Sequence, residues 1–118
     1  MYTLNIYVNP DPNDTVAAST FVNLSIEAGK KQMENPQTET LPPTTTVGGE
    51  SWVQKSICGT ETSNGQSLDI QLVVMSDNHP AHAANTQNFS IVYATEKSSF
   101  ATANTSYFQP MLQSFKFT

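Results

Sequence analysis

The chain has 118 residues, five lysines, no arginine, ten acidic residues and a net charge of −5. That length suits one domain with a single core. Without arginine forks or a basic groove it is a poor candidate for binding nucleic acid or an anionic membrane. Solubility rests on uncharged polar groups: Ser, Thr, Asn and Gln make up 45 of the 118 residues. Such a surface suits an exported or cell-surface protein, and a cytoplasmic location stays open. No signal peptide and no apolar stretch of membrane-spanning length are visible. If the native protein is exported, its targeting segment or lipid anchor is expected outside this stretch.

In chain order, Tyr2, Leu4, Ile6 and Val8 alternate with Thr3, Asn5 and Tyr7, which predicts a strand closed by Asn9-Pro-Asp-Pro12. A helix is expected from Ser19 to Glu34. Phe21, Leu24 and Ala28 lie along one line of it, and Val22, Ile26, Gly29 and Met33 along the next, giving a broad apolar stripe for a sheet. Ser19 or Thr20 is the expected cap, and Gly29 the point of close approach. Thr38 to Val47 reads as an edge segment interrupted by Pro42-Pro43. Gly48-Gly49 turns the chain into a strand from Trp52 to Cys58. Asn64-Gly65 is a hairpin signal leading to Leu68–Met75, expected to be the central strand. Ser76 to Gln87 reads as loop, Asn88 to Thr95 as strand and Glu96 to Asn104 as connector. A short helix is predicted over Thr105 to Gln113, with Phe108, Met111 and Leu112 facing inward. The order of elements predicts an α+β fold, an antiparallel β-sheet covered by helices in layers.

Phe89-Ser-Ile-Val-Tyr93, the connector containing Phe100, and Tyr107-Phe-Gln-Pro-Met-Leu-Gln-Ser-Phe-Lys-Phe117 resemble the ending of PsbP-like and Mog1-like domains. Gly48-Gly49 before a long hairpin, and the helix ahead of it, are similar to the same family. The resemblance implies a Mog1/PsbP-like α/β/α sandwich over residues 1–118. It also implies a role in protein contacts, with Phe108, Leu112, Ser114 and Phe115 serving packing. Family members open with an earlier strand pair. Their absence here leads us to expect a truncated domain that pairs with a partner protein or with a second copy.

Candidate chemistry is sparse. Asp77, His79 and His82 form an Asp-x-His-x-x-His run that could give a zinc or other transition-metal ion one oxygen and two nitrogen ligands. The competing reading is two exposed loop histidines beside a proline turn. The acids are dispersed, and Asp69, Glu50 and Glu61 read as solvated surface. A pocket enzyme of hydrolase or isomerase type would instead need Asp69 or Glu61 with a raised pKa in a deep apolar cavity. Asp11, Asn13 and Asp14 are close in sequence but lack the glycine and bidentate glutamate of a calcium loop. Cys58 is expected to be a small buried side chain with no base beside it. Trp52, Tyr7 and Tyr93 could serve recognition, although two covered layers would bury them. The sequence reading is therefore a protein-interaction or accessory domain with no cofactor expected. The pocket enzyme and the metal-binding module are its alternatives.

Overall fold

The computed structural model describes residues 2–118. It is an antiparallel β-sheet flanked by helices on both faces. The strands are β1 (Tyr2–Pro10), β2 (Glu34–Glu39), β3 (Thr44–Val47), β4 (Glu50–Ser63), β5 (Gln66–His79) and β6 (Gln87–Glu96). Their spatial order is β1-β6-β5-β4-β2, with β3 also on β4. β5 is the interior strand that its alternation predicts.

Two tight turns set the register. Asn64 and Gly65 take φ of 53° and 77°, and Gly48 and Gly49 take 59° and 80°. Two successive residues at positive φ match the twist of a hairpin. The first turn closes Ser63 on Gln66 and the second closes Val47 on Glu50. β4 and β5 outrun their neighbours. β2 reaches β4 only as far as Thr60, and β6 reaches β5 only as far as Ile70, so the hairpin end beyond them pairs only with itself.

Helix α1 (Ala18–Lys31) lies on one face. It starts earlier than a Ser19 or Thr20 cap would place it, with Ala17 at the cap position and no capping side chain. Lys30 and Lys31 sit in its last turn, where the helix dipole favours positive charge. The Val22, Ile26, Gly29, Met33 line meets Ile57, Leu72 and Val74. The other predicted line does not pack: Leu24 is 64% exposed and Phe21 is half-buried. One helix over a wide sheet buries only a narrow stripe.

The opposite face holds the larger core: Trp52, Val73, Met75, Ile91 and Tyr93 from the strands, with Ala103, Phe108 and Leu112 from the C-terminal helices. Burying Trp52 alone contributes about 2–3 kcal/mol. Its indole N–H donates to the Val47 carbonyl at 2.9 Å, so no polar atom is stranded there.

Three expectations are corrected, two by the backbone and one by side-chain exposure. Residues 76–79 belong to β5 and not to a loop. Lys97 to Asn104 is helical and not a connector: α2 (Phe100–Ala103) continues through a π-turn (Asn104–Phe108) into α3 (Gln109–Ser114). The π-turn lies just ahead of Pro110, which has no N–H to return to the preceding turn; a wider turn accommodates that lost bond. Met111 points outward, 50% exposed, while Phe108 and Leu112 are buried. Beyond α3, Phe115 turns extended and carries the tail along the sheet.

Candidate functional site

Period-two alternation carries the face of Val73 and Met75 forward to Asp77 and His79. Glu50 opens β4 immediately after the Gly48-Gly49 turn, on the face of Trp52. The hairpin register therefore brings Glu50 beside the end of β5. The His79 Nδ1–H donates to Glu50 Oε2 at 2.6 Å. The imidazole stacks on the Phe117 ring, centroids 3.8 Å apart and planes 12° from parallel. Phe117 stacks in turn on Trp52 at 6.0 Å, and Phe115 meets Trp52 edge-on at 5.4 Å. The tail is thus clamped between a histidine hydrogen-bonded to Glu50 and the core tryptophan.

Asp77 is the acid shifted upward. Burial, followed by the hydrogen bond and the negative charge of Glu50, pushes its carboxyl up to about 7. Its Oδ2 is buried with no hydrogen-bond partner. A carboxyl in that position favours the protonated form. The sequence missed this pair because Glu50 lies 27 residues away and reads as a turn residue. The only available signal was its place directly after a double glycine.

The structure does not bring the Asp77, His79, His82 run together. Asp77 and His79 share the tail-covered face, and His79 is engaged by Glu50. His82 is 92% exposed at φ 53°, with its ring 3.6 Å from Asp14. Among the described residues, no group of three His, Cys, Asp or Glu side chains is arranged to hold a metal ion.

Asn78, pointing to the other face, anchors a polar network. Its amide donates to Asp14 Oδ1 and the Val16 carbonyl, both at 2.7 Å, and lies 3.3 Å from Asp11 Oδ2. Asp11, 2% exposed, accepts the backbone N–H groups of Thr15 and Val16. Asp14 accepts the His82 backbone N–H at 2.9 Å, and this bond, then that of Asn78, holds its carboxyl below the usual carboxylate range. Behind Asn78, a ladder of Asn88, Ser76 and Ser90 satisfies its own members. These carboxylates are occupied as structural acceptors.

Cys58 is buried, as expected, and lies within β4. Its thiol donates to Glu39 Oε1 at 3.0 Å, and Lys97 Nζ bonds the same oxygen at 3.0 Å. The Glu39 hydrogen bond, then burial, raises the thiol pKa. A thiol held protonated is a poor nucleophile.

Two clefts adjoin these groups. One of about 620 Å³ lies between α1 and the β2–β3 link, lined by Asn23, Lys55 and Gln54 among others. The second, about 580 Å³, lies beside the tail and is lined by Ile6, Val8, His79, Phe89 and Phe117. Asp77 and Glu50 do not line it, so the raised carboxyl does not face that cleft. Asp69, one of the two acids a pocket enzyme would use, is exposed and bonded to Thr60.

The remaining feature is apolar. Trp52 and Tyr93 are buried, as two covered layers demand, but Tyr7 is not. Tyr2, Ile6, Tyr7 and Val8 of β1 are each about half-exposed, as are Tyr107 and Met111 of the C-terminal helices. Tyr2 and Tyr107 touch, with ring centroids 5.2 Å apart, joining strand and helix into one strip. Exposed apolar residues scattered singly need no explanation, whereas a contiguous strip marks an interaction surface.

No protein-family model matches the chain, and no curated protein matches it. Among solved structures, it is similar to LpqN of Mycobacterium tuberculosis, described as involved in cell envelope biogenesis. The TM-score is 0.58 at 11% identity, over 97% of this chain and 61% of that chain. The likeness is one of fold, and this chain spans less than two thirds of LpqN. No described helix is long and apolar enough to cross a membrane.

Proposed function

We propose that this chain is a non-catalytic protein-interaction domain, working outside the cytoplasm, of the PsbP-like and Mog1-like sandwich type. The observation that carries the reading is the strip of half-exposed Tyr2, Ile6, Val8, Tyr107 and Met111 along an uncharged edge strand. Burying these side chains against a partner would contribute about 25 cal/mol per Å² removed from water, before the costs of association. Two further features support it. The acids closest to catalytic character are either turned away from the tail cleft or held by backbone donors. The fold is shared with a protein described by its role in cell envelope biogenesis. The family likeness rests on the helix ahead of a long hairpin and on the Ser114-Phe-Lys-Phe117 tail packed on Trp52.

Site-specific photocrosslinking tests the reading. A photoreactive residue at Tyr107 should give protein adducts on cells expressing the chain, and the same residue at Asn64, on the hairpin tip, should not. Equal labelling at both positions, or none at either, defeats the proposal. Fractionation of the same cells tests the location, which fails if the protein stays with the cytoplasmic fraction.

A further inference from the structure

We infer that the strip is self-complementary: two copies of this chain join through their β1 strands, antiparallel about a two-fold axis, and so continue one sheet into the other. This rests on the interaction reading above and names its partner.

The two edges of the sheet differ. The β2–β3 edge carries Glu34 and Glu39, and its register shifts between Glu34 and Gln37, where Asn35 takes φ 52° ahead of Pro36. Pro42 and Pro43 then interrupt it. Charge, proline, bulge and short strands are the devices that block edge-to-edge pairing. β1 has none of them from Tyr2 to Asn9, and its one proline, Pro10, stands at its very end. Tyr2 to Asn9 contains no charged residue, and its pairing with β6 runs unbroken from Tyr2↔Thr95 to Pro10↔Gln87. Every second residue of such a strand turns its N–H and C=O away from the neighbour it is bonded to. Among the described residues, no strand pairs with that outer side.

Charge selects the surface on which two copies could meet, and the alternation of β1 selects the copy. A chain of net charge −5 repels its own copy over most of its surface. The uncharged β1 strip is where two copies meet with least opposition. Sequence alternation then makes the strand match itself. Side chains directly opposite in an antiparallel pair share a face. With a two-fold axis at Asn5, Tyr2 faces Val8 and Leu4 faces Ile6 on one side of the sheet, and Thr3 faces Tyr7 on the other. An axis at Leu4 or Ile6 preserves the same sorting. A one-residue slip would oppose apolar to polar throughout and is selected against. Tyr107, beside Tyr2, extends the apolar contact beyond the strand.

The test is light scattering on a size-exclusion column across a concentration series of the 118-residue chain. The expected result is a mass twice that of the 12.9 kDa chain. Ile6→Lys, which sets like charges close together across the axis, should move the dimer–monomer midpoint up by about tenfold or more in concentration with unchanged circular dichroism. Leu4→Cys, Asn5→Cys and Ile6→Cys, made singly, guard against a variant that fails to fold. The one on the axis should give an oxidised dimer, while the buried Cys58 stays reduced. A wild-type chain that remains monomeric overturns the inference, as does a dimer indifferent to Ile6→Lys and to all three cysteines. If the chain is monomeric but Tyr107 still crosslinks to a protein of different mass, self-pairing falls and the interaction reading stands. If nothing crosslinks either, both fall.

Discussion

His79 and Phe117 lie face to face, 3.8 Å between centroids, and this contact fastens the end of the chain to the end of the central strand. The tail has no strand of its own, so these rings, together with Trp52 and Phe89, hold it. Phe117→Ala should cost about 1–3 kcal/mol, less than a fully buried phenylalanine because Phe117 is half-exposed. Thermal unfolding should show a midpoint lower by several degrees. An unchanged midpoint would mean that the tail contributes nothing to stability.

Asp77 makes stability depend on pH in an uncommon direction. Its carboxyl, ordinarily at 3.8, sits at about 7 in the folded chain. The folded state therefore holds a proton that the unfolded state has lost between those values. The stabilisation is complete below pH 3.8 and is lost as pH rises towards 7. Because the site is half-open to solvent, the effect is on the order of 1–2 kcal/mol. Asp77→Asn keeps the shape and supplies a permanent donor, so it should stabilise the protein at pH 8 and flatten this part of the profile. Denaturant midpoints at pH 5 and pH 8, for both proteins, measure it. A variant less stable at pH 8 would contradict the assignment.

Asn78 is the donor shared by three acceptors, Asp14, the Val16 carbonyl and Asp11. Asn78→Ala would leave the buried Asp11 carboxylate one hydrogen bond short and release the other two acceptors, at a cost of about 1–3 kcal/mol. Urea titration should show the loss with an unchanged slope. A loss below about 0.5 kcal/mol, within the range of ordinary surface substitutions, would mean that water replaces the amide freely.

Two glycines near α1 should respond differently to alanine. At Gly59 an added Cβ would meet Met33 Cβ at 2.8 Å and the Glu34 carbonyl oxygen at 3.1 Å. Backbone does not yield cheaply, so Gly59→Ala should cost about 1–3 kcal/mol. At Gly29 the closest atom is Leu72 Cδ2 at 2.8 Å, the tip of a flexible side chain. Helix propensity returns about 1 kcal/mol there, and Gly29→Ala should be near neutral. Paired thermal melts distinguish the two, and a larger loss at Gly29 would reverse the argument.

Glu39 governs the thiol. Removing its charge in Glu39→Gln leaves Lys97 as the charged neighbour of Cys58, which favours the thiolate. Disulfide-exchange labelling of the native protein should be slow and should quicken in the variant. Equal rates would mean that burial alone protects the sulfur.

What could be read in the sequence follows the range of the forces involved. The hairpin at Asn64-Gly65 and the interior strand through Ile70 were legible because alternation and turn chemistry act over neighbouring residues. Gly29 was legible for the same reason, as a gap in a helical stripe. Ser76 to His79 was not, because its polar side chains look like loop until Asp11 and Glu50 arrive from distant parts of the chain to satisfy them. The stretch from Lys97 to Asn104 has little helical periodicity and many Ser, Thr and Asn residues; Phe100 and Ala103 packing beside Tyr93 and Phe108 make it helical. The three residues of the Asp77, His79, His82 run share a sequence neighbourhood but form no ligand set: Asp77 and His79 share a face of β5 where Glu50 engages the histidine, and His82 lies beyond the strand end beside Asp14. The exposed β1 strip could not be seen either, because an apolar alternation looks the same whether or not a layer lies above it.

The hairpin of β4 and β5 projects past every neighbouring strand, so its tip is a two-stranded ribbon, marginal by itself in water. Opening it breaks no contact with either core. Its amides should exchange with deuterium well ahead of those around Val73, and a protease should nick the chain first near Asn64. That end of the molecule can accept a grafted peptide or a fluorophore between Asn64 and Gly65 while both packed faces and the β1 edge remain as they are.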